Sequence, residues 1–413
     1  MFFIGYNVVQ IDDTNIKLIE LFEAYEDCRK NKRNTMNAIK FEMDYEANLS
    51  ILLKEINTGT YQPGKSIAFI IDKPVQREIF AADFRDRIVH HLIIKKLNPL
   101  FERIFIHDSY ACREGRGTHF GIKRADSFIR KCSQNYTTAC HILKLDIQGF
   151  FMAINKRILW TELRAFITKY YLHSDKRLLL ILCHKILNNN PTKNCIIKGN
   201  RNNWHNLPNN KSLFYSAPAC GLPIGNLTSQ IFANFYMNAF DHFVKHDLGI
   251  RYYGRYVDDC IIVHQNKNYL TSLIPIISDF LKSKLGLTIH PRKLYLQHYE
   301  KGVTFLGVTI KPHRICIGKR TSGNFYNAIA EHNAVACKGK PNKEEQTAFL
   351  SSMNSYLGIM KHYNTYRLRK KILIKNVSIW WKNLLYISGG YSKFVPLIKT
   401  VKKPKKKQKI IRR

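Results

Sequence analysis

Two apolar segments that each end in aspartate constrain this chain more than any other feature. They are residues 142–145, which lead into Asp146, and residues 252–256, which lead into Val257, Asp258 and Asp259. Because residues 260–263 are apolar again, the second segment predicts a hairpin with residues 257–259 in its tight turn. Both segments therefore predict strands that present carboxylates at their ends.

Carboxylates on two separate strands are what two-metal phosphoryl transfer requires. The strands must bring the side chains close enough to bridge divalent ions about 4 Å apart, of which one activates a hydroxyl and the other holds the leaving oxygen. Asp146 and Asp258 are the candidates, and Mg²⁺ suits them because it prefers hard oxygen ligands. By itself an Asp-Asp turn is weak evidence for a catalytic site, since aspartate is a common turn residue.

A glycine-bounded turn lies between the two acidic segments. Residues 221–230 have the sequence Gly-Leu-Pro-Ile-Gly-Asn-Leu-Thr-Ser-Gln and lead into an apolar-faced helix that we expect to run through Phe243, with Asn226 as its cap. The glycines allow a base or sugar to approach the backbone, and the helix N-terminus favours a phosphate. An ordinary loop-to-helix junction has the same pattern.

The charge of the chain favours a polyanionic partner. Lys and Arg number 66 against 30 Asp and Glu, which leaves a net charge of +36. Such a surface should bind nucleic acid with a steep salt dependence, because each neutralised phosphate releases counterions. The alternative is a host whose proteins are generally rich in lysine.

Cysteine spacing and hydropathy exclude several classes of protein. The ten cysteines contain no C-x-x-C pair, which argues against a zinc ribbon or a disulfide framework and predicts reduced thiols. No run approaches the roughly 18 uncharged apolar residues that cross a bilayer. Residues 1–7 are apolar but have no preceding basic segment and run into Asp12 and Asp13, so we expect no secretory signal, no membrane partner and a cytoplasmic location.

Apolar spacing divides the rest of the chain into helical and mixed regions. Two N-terminal helices are predicted from Ile16, Ile19, Phe22 and Tyr25 and from Phe41, Tyr45, Leu49 and Leu52. The cluster of Lys30, Lys32 and Arg33 between them is either a phosphate contact or a solvated helix end. A strand from residue 67 and a helix over 84–97 follow.

The later part of the chain contains a polar insertion and a basic end. The insertion spans residues 188–217, and its polar part, residues 188–210, predicts a mobile loop with Trp204 as its lone apolar anchor. After residue 310 the chain loses strand character and becomes basic and helical. Residues 401–413 contain eight Lys or Arg and are typical of a disordered nucleic-acid-binding arm.

In their order along the chain, these segments resemble a reverse transcriptase. The matching segments lie within roughly residues 60–315. They are a fingers block, Leu-Asp-Ile-Gln-Gly-Phe-Phe (145–151), Leu-Pro-Ile-Gly (222–225), Tyr-Val-Asp-Asp (256–259), His-Pro-Arg-Lys (290–293) and Thr-Phe-Leu-Gly-Val (304–308). The last of these segments looks like the primer grip. Ile224 stands where retroviral enzymes carry Gln, and Gln230 where they carry Pro. This form resembles the reverse transcriptases of diversity-generating retroelements.

The resemblance implies an α+β fold of the right-hand polymerase type, with fingers, an antiparallel palm sheet and a helical thumb. The implied segments are an N-terminal helical extension (1–58), fingers (59–135), a palm (136–315) that includes the insertion 188–217, a thumb (316–400) and a basic tail (401–413). The implied activity is DNA synthesis on a template RNA with frequent misincorporation opposite adenine. The implied partners are template RNA, a DNA or RNA primer, dNTPs and a small, basic, oligomeric accessory variability protein.

The same resemblance implies roles for the residues of the acidic segments. Asp146, Asp258 and the backbone carbonyl of Ile147 would hold two Mg²⁺ ions, with Mn²⁺ as a substitute, and Asp259 would support the site. Phe151 would exclude a 2′-hydroxyl, although core packing is the alternative. Lys293 would be a general acid for pyrophosphate or a phosphate contact.

Other residues would contact the nucleotide. The positive charges of Lys73 and Arg77, and less clearly Arg113, suit an incoming triphosphate, while Arg113 is equally typical of a surface cation. Gly225 and Gln230 belong to the turn that borders the substrate. Ile224 cannot hydrogen-bond a base, so mispairs should be rejected less strongly.

Two alternatives remain at this point. A group II intron or retron reverse transcriptase differs mainly at Ile224 and Gln230. A non-catalytic splicing cofactor or RNA chaperone would use the basic surface alone. The intact Asp146, Asp258 and Phe151 argue against this second alternative.

Overall fold

The chain divides between Tyr299 and Glu300 into two units. The computed structural model describes residues 14–30, 35–72 and 75–397, so Lys32, Arg33, Lys73 and the tail 401–413 lie outside the described residues. Within the described part, no helix combines the length and apolar character needed to span a bilayer.

Three helices begin the first unit: α1 (Leu18–Arg29), α2 (Met36–Glu42) and α3 (Tyr45–Asn57). The predicted helical region is present, but the buried face of α1 differs from the prediction. Leu21, Ala24, Tyr25 and Cys28 are buried, whereas Ile19 and Phe22 are exposed. Tyr25 stacks on Tyr45 with ring centroids 5.6 Å apart, which joins α1 to α3.

The remainder of the first unit alternates strands and helices. In chain order these are β1 (Ser66–Ile71), β2 (Arg77–Ala81), α4 (Phe84–Ile104), α5 (Thr118–Cys132), β3 (His141–Leu145), α6 (Phe150–Ala153), α7 (Lys156–Tyr170), α8 (Lys176–Asn188), β4 (Cys195–Ile197), α9 (Leu227–Tyr236), α10 (Asn238–His242), β5 (Tyr253–Tyr256), β6 (Asp259–His264), α11 (Lys267–Leu285) and β7 (Tyr295–His298). The helix predicted over 84–97 thus extends to Ile104.

A four-stranded antiparallel sheet with the order β5-β6-β3-β7 carries the acidic segments. β3 and β6 are its central strands, and their apolar residues are fully buried because α5 and α11 pack against them. Leu145 lies opposite Cys260 and Ile142 opposite Val263. The register brings the C-terminal end of β3 and the N-terminal end of β6 to one edge of the sheet.

The insertion 188–217 is docked on a second sheet, contrary to the prediction of a mobile loop. Its strand β4 pairs in parallel with β1, which pairs antiparallel with β2. Three 3₁₀ turns follow, at Arg201–Trp204, Asn209–Lys211 and Leu213–Tyr215. The buried Glu78 of β2 binds this segment, so backbone pairing and a buried carboxylate both order it.

The helix after the glycine turn is interrupted and is not capped as predicted. α9 ends at Tyr236, α10 follows, and Phe243–Asp247 form a π-helical turn. Asn226 is the first flanking residue of α9, but its Oδ1 accepts a hydrogen bond from the Ala82 amide at 3.0 Å. Asn226 therefore connects α9 to the end of β2 instead of satisfying the helix terminus.

The second unit is mainly helical, with small sheets. Its elements are β8 (Val303–Phe305), β9 (Val308–Lys311), β10 (Arg314–Ile317), α12 (Lys319–Cys337), α13 (Lys343–Met360), α14 (Tyr366–Asn376), α15 (Ile379–Leu384), β11 (Leu385–Ile387) and β12 (Phe394–Pro396). Trp381 stacks on Phe349 at 4.1 Å in its core. The strands β8, β9 and β10 form a separate antiparallel sheet that belongs to the second unit. Strand structure therefore continues beyond residue 310, where the sequence predicted that it ends. The predicted α+β fold with an antiparallel sheet and a helical C-terminal region is confirmed.

Candidate active site

The two predicted metal-binding aspartates lie at the same edge of the four-stranded sheet. Asp146 directly follows β3, and Asp258 lies in the turn between β5 and β6. Burial, and then the negative charge of Asp146, raise the pKa of Asp258, while Lys293 and Arg77 oppose that rise. The two carboxylates are thus close enough to interact electrostatically, although they are far apart in the sequence.

The turn that carries Asp258 is tighter than predicted. Tyr256 pairs with Asp259, so the loop contains only Val257 and Asp258, and Asp259 begins β6. Val257 has a φ of 57°, in the left-handed region that a β-branched residue enters only at an energetic cost. Tertiary contacts must hold this turn in place.

A buried ion pair supplies those contacts. Arg255 and Asp241 are both 0% exposed, and the guanidinium donates through Nε to Oδ1 at 2.7 Å and through Nη2 to Oδ2 at 2.6 Å. Nη1 of Arg255 also donates to the Val257 carbonyl at 2.8 Å, and the Tyr253 hydroxyl donates to Asp241 Oδ1 at 2.6 Å. The ion pair therefore anchors the Asp258 turn to α10.

Neither Arg255 nor Asp241 was predicted from the sequence to belong to the site. The signal for Arg255 is a cation within a segment predicted to be a buried strand, and for Asp241 an acid within an apolar helix. Charged residues are almost never fully buried unless they are paired. The two together predict a buried pair, but neither alone identifies its partner.

Lys293 lies against Asp146. Its Nζ is 3.0 Å from both Oδ1 and Oδ2 of that carboxylate, and the lysine side chain is 51% exposed. The backbone sets this position, because the His290 amide donates to the Asp146 carbonyl at 2.7 Å and the Gln148 amide to the Thr288 carbonyl at 2.9 Å. Lys293 therefore lies at the same edge of the sheet as Asp146 and contacts this proposed metal ligand.

Asp259 has its own lysine partner. Lys144 Nζ is 3.2 Å from Asp259 Oδ1. Burial raises the pKa of Asp259 to about 7, and Lys144 opposes this rise. The contact fits a supporting role for Asp259, since its carboxylate is already engaged within the sheet.

The oxygen atoms at this edge fit a hard divalent cation. The carboxylates of Asp146 and Asp258 are suitable ligands, and the hydrogen bonds that flank Ile147 do not use its backbone carbonyl. Burial is the main cause of the raised pKa of Asp258, and the repulsion by Asp146 that adds to it is an interaction that a bound cation would relieve. Within the described ranges no group of three or more His, Cys, Asp or Glu side chains has a metal-site arrangement.

Phe151 and Ile224 border one apolar cluster, which consists of Ala68, Phe80, Met152 and Leu213. Their backbones are held there, since the Leu222 amide donates to the Phe151 carbonyl at 2.8 Å and the Phe80 amide to the Ile224 carbonyl at 2.9 Å. Both side chains are half-buried. Gly225 has a φ of 119°, and a Cβ there would lie 2.8 Å from Ile79 Cγ2, so this turn requires glycine.

Arg77 and Gln230 are exposed, and Arg113 is not. The charge of Arg77 reaches Asp258, and Gln230 Oε1 accepts a hydrogen bond from Cys112 Sγ at 3.0 Å. The side chain of Arg113 is 3% exposed and donates to Glu102 at 2.8 Å and to two backbone carbonyls. The predicted triphosphate contact of Arg113 is therefore replaced by a structural role. Lys73 lies outside the described residues.

Comparisons with known proteins find one family over most of this region. The family model described as reverse transcriptase (RNA-dependent DNA polymerase) matches residues 72–310, more than half of the chain. Protein YkfC of Escherichia coli is 23% identical over 293 residues, which cover 63% of this chain and 70% of YkfC. A COX1/OXI3 intron 2 protein of Saccharomyces cerevisiae is 39% identical over 61 residues, which cover 14% of this chain and 7% of that protein.

Among solved structures, telomerases share a similar arrangement at low identity. The telomerase of Candida tropicalis matches with a TM-score of 0.47 and 13% identity, over 82% of this chain and 65% of that one. The telomerase of Candida albicans, in complex with a fragment of telomeric RNA, matches with a TM-score of 0.45 and 12% identity, over 82% of this chain and 62% of that one. The chain thus spans less than two thirds of these structures.

Proposed function

Since the chain belongs to the reverse transcriptase family of RNA-dependent DNA polymerases, we propose that it synthesises DNA on an RNA template, with Asp146 and Asp258 holding two Mg²⁺ ions. The observation that carries this proposal is the meeting of these two carboxylates at one edge of the sheet. Members of this family use divalent metal ions. Two-metal nucleotidyl transfer needs this pair of oxygen ligands on separate strands.

Each residue of the site would have its own role in the reaction. Bound Mg²⁺ would supply activation of a primer 3′-hydroxyl and stabilisation of the charge that develops on the phosphate oxygens. Asp146, Asp258 and the Ile147 carbonyl would hold the ions, and Asp259, which is paired with Lys144, would support the site. Arg77 attracts the triphosphate. Lys293 donates a proton to the leaving pyrophosphate, a contribution of roughly 10² to 10⁴ in rate.

Primer extension tests this function directly. We expect the purified chain to extend oligo(dT) on poly(rA) with dTTP and Mg²⁺, to stop when the metal is chelated, and to resume with Mn²⁺. Binding of RNA without synthesis under either metal would contradict the proposal and would favour a non-catalytic RNA-binding protein.

Replacement of Phe151 by valine should weaken selection against ribonucleotides. A smaller side chain leaves room for the 2′-hydroxyl, and contacts of this size change selectivity by roughly 10- to 200-fold. We expect the ratio of kcat/KM for dTTP over UTP to fall in that range while kcat for dTTP is largely kept. Parallel steady-state assays on poly(rA)/oligo(dT) measure it. A ratio equal to that of the wild type would assign Phe151 to core packing alone.

We further propose that the chain is the polymerase of a diversity-generating retroelement. The support is that both Ile224 and Gln230 occur in the segment 221–230. In addition, Ile224 is half-buried and borders the same apolar cluster as Phe151. Its template would be a repeat RNA, copied with errors at adenine. A small, basic, oligomeric accessory protein would act with it, in the cytoplasm.

Substituting Ile224 with glutamine tests the origin of these errors. The added amide can hydrogen-bond a nucleotide or template base, and a hydrogen bond contributes about 0.5–1.5 kcal/mol. We expect misincorporation opposite template adenine to decrease roughly 2- to 10-fold, as sequencing of extension products would show. An unchanged error spectrum would refute this role of Ile224.

An intron-encoded reverse transcriptase is the second candidate. The similarity to a yeast intron 2 protein over 61 residues favours it. The DNA around the coding sequence separates the two. Paired imperfect repeats that differ mainly at adenines, next to a small basic reading frame, would support the retroelement, whereas flanking intron sequence would support the alternative.

A further inference from the structure

Glu78 binds the insertion 188–217 through three hydrogen bonds. Its Oε2 accepts from Trp204 Nε1 at 2.8 Å and from Ser212 Oγ at 2.7 Å, and its Oε1 accepts from the Leu213 amide at 2.6 Å. The residue is 0% exposed. A fully buried carboxylate is tolerated only when its oxygens are satisfied, and all three of these donors come from the insertion.

The bound segment packs on the wall of the proposed nucleotide site. Leu213, whose amide Glu78 holds, is one of the four buried members of the cluster that Phe151 and Ile224 border. Met152, the neighbour of Phe151 in α6, is another member. Leu213 and Trp204, which also packs against this cluster, therefore connect Glu78 with the surroundings of Phe151 and Ile224.

A close backbone approach joins the insertion to α6. Gly149, which precedes α6, has a φ of 55°, and a Cβ there would lie 2.6 Å from the carbonyl oxygen of Asn210. No larger residue fits between the two backbones without displacement. The helix that carries Phe151 and the turn at residues 209–211 are therefore in direct contact, and movement of one displaces the other.

Two further contacts hold the start of the insertion. The Lys198 amide donates to the Ala68 carbonyl at 2.9 Å, which extends the pairing of β4 with β1. Gln76 Nε2 donates to the Asn203 carbonyl at 2.9 Å. These contacts involve backbone or exposed groups, whereas Glu78 is the buried acceptor for the part of the insertion nearest Phe151.

We propose that Glu78 is a positioning residue, which uses Trp204 and Ser212 to fix the insertion as one wall of the nucleotide site and thereby sets sugar selection by Phe151. This inference rests on the proposed function. Phe151 can exclude a 2′-hydroxyl only if the residues packed against it keep it in place, because close packing transmits small displacements. The insertion provides that surface, and Glu78 holds the insertion in place.

Replacing Trp204 with phenylalanine tests this inference, because it keeps an aromatic ring on the apolar cluster but removes the indole N–H that donates to Glu78, together with part of the ring surface. We expect the ratio of kcat/KM for dTTP over UTP to fall roughly 3- to 30-fold, which is less than the roughly 10- to 150-fold that corresponds to one hydrogen bond to a charged acceptor, because only part of the displacement reaches Phe151. We expect kcat for dTTP to stay within about twofold, since the metal ligands are untouched. Ser212→Ala should change the ratio in the same direction.

A matched control removes an indole N–H elsewhere. Trp381 Nε1 donates to the His332 carbonyl at 3.2 Å in the second unit, so Trp381→Phe makes the same chemical change away from the insertion. We expect it to leave the selectivity ratio unchanged. A fall of equal size in Trp381→Phe, or an unchanged ratio in both Trp204→Phe and Ser212→Ala, would overturn the positioning role.

Hydrogen exchange gives a readout that does not depend on synthesis. In Trp204→Phe we expect faster amide exchange in residues 209–213 and also in residues 150–153, with no change at either place in Trp381→Phe. Faster exchange confined to the insertion would overturn the coupling to Phe151. If the wild-type chain made no DNA, the proposed function would fail, and the exchange result would still decide whether Glu78 couples the insertion to α6.

Discussion

Replacing Asp258 with asparagine is expected to reduce DNA synthesis by roughly 10³-fold or more while RNA affinity changes little. The substitution keeps the size of the side chain but removes one of the two carboxylates that would hold the metal ions. Metal coordination contributes several kcal/mol to transition-state stabilisation, and each 1.4 kcal/mol corresponds to a tenfold change in rate. RNA binding depends instead on the net charge of +36, which this substitution hardly alters.

Single-turnover primer extension and RNA binding at the same salt concentration measure the two effects. Asp44→Asn is the matched control, because Asp44 is exposed between α2 and α3 and undergoes the same loss of charge. It should retain both synthesis and binding. Synthesis by Asp258→Asn at more than a tenth of the wild-type rate would contradict the two-metal assignment.

The second large effect is expected at Arg255. Its replacement by methionine should lower the free energy of unfolding by about 3–5 kcal/mol, because Asp241 would remain buried without a cation. The substitution also removes the hydrogen bond to the Val257 carbonyl. The Asp258 turn would then lose its anchor, so synthesis should fall more than the loss of folded protein explains. Denaturant unfolding together with primer extension at a temperature where the variant is folded measures both.

The double variant Arg255→Met/Asp241→Leu separates stability from positioning. Replacing both members of a buried pair by apolar side chains is often neutral, so the double variant should regain much of the lost stability. Synthesis should stay low, since the bond to Val257 is still absent. Recovery of both properties would mean that the pair supports the fold alone.

An exposed ion pair provides the comparison for stability. Lys95 and Glu23 are 2.7 Å apart, and their side chains are 43% and 51% exposed. Exposed pairs contribute about 0–1 kcal/mol, so Lys95→Met should leave unfolding nearly unchanged. A loss as large as that of Arg255→Met would indicate that burial is not what makes the Arg255 contact important.

Local sequence pattern predicted the elements that carry the site but not all of their neighbours. The strands on either side of Asp258 and the segment before Asp146 were identified from apolar residues that stop at acids. The insertion was predicted wrongly, because its many Asn residues are typical of a solvated loop. It is ordered by the pairing of β4 with β1 and by Glu78, both of which are distant in sequence and have no unusual local context.

Arg113 is a second residue whose environment the sequence did not predict. Arg113 lies in the glycine-rich basic segment 112–117, where a cation is typical of a phosphate contact, and the sequence contains nothing that links it to Glu102. The helical position of Glu102 in α4 and the fold of the following loop bring them to 2.8 Å. Only packing determines whether a cation of this kind faces solvent or an acid.

The sequence by itself determined the apolar strands that lead into Asp146 and Asp258, the presence of a hairpin at residues 257–259, and the positive charge suited to nucleic acid. These follow from side-chain periodicity and turn chemistry, which act over a few residues. The tertiary structure alone decided that Arg255 anchors the Asp258 turn through Asp241, that Lys293 faces Asp146, and that Glu78 holds the insertion. Such partners are brought together by burial of the whole core, and a buried charge takes whichever satisfying group the fold places beside it.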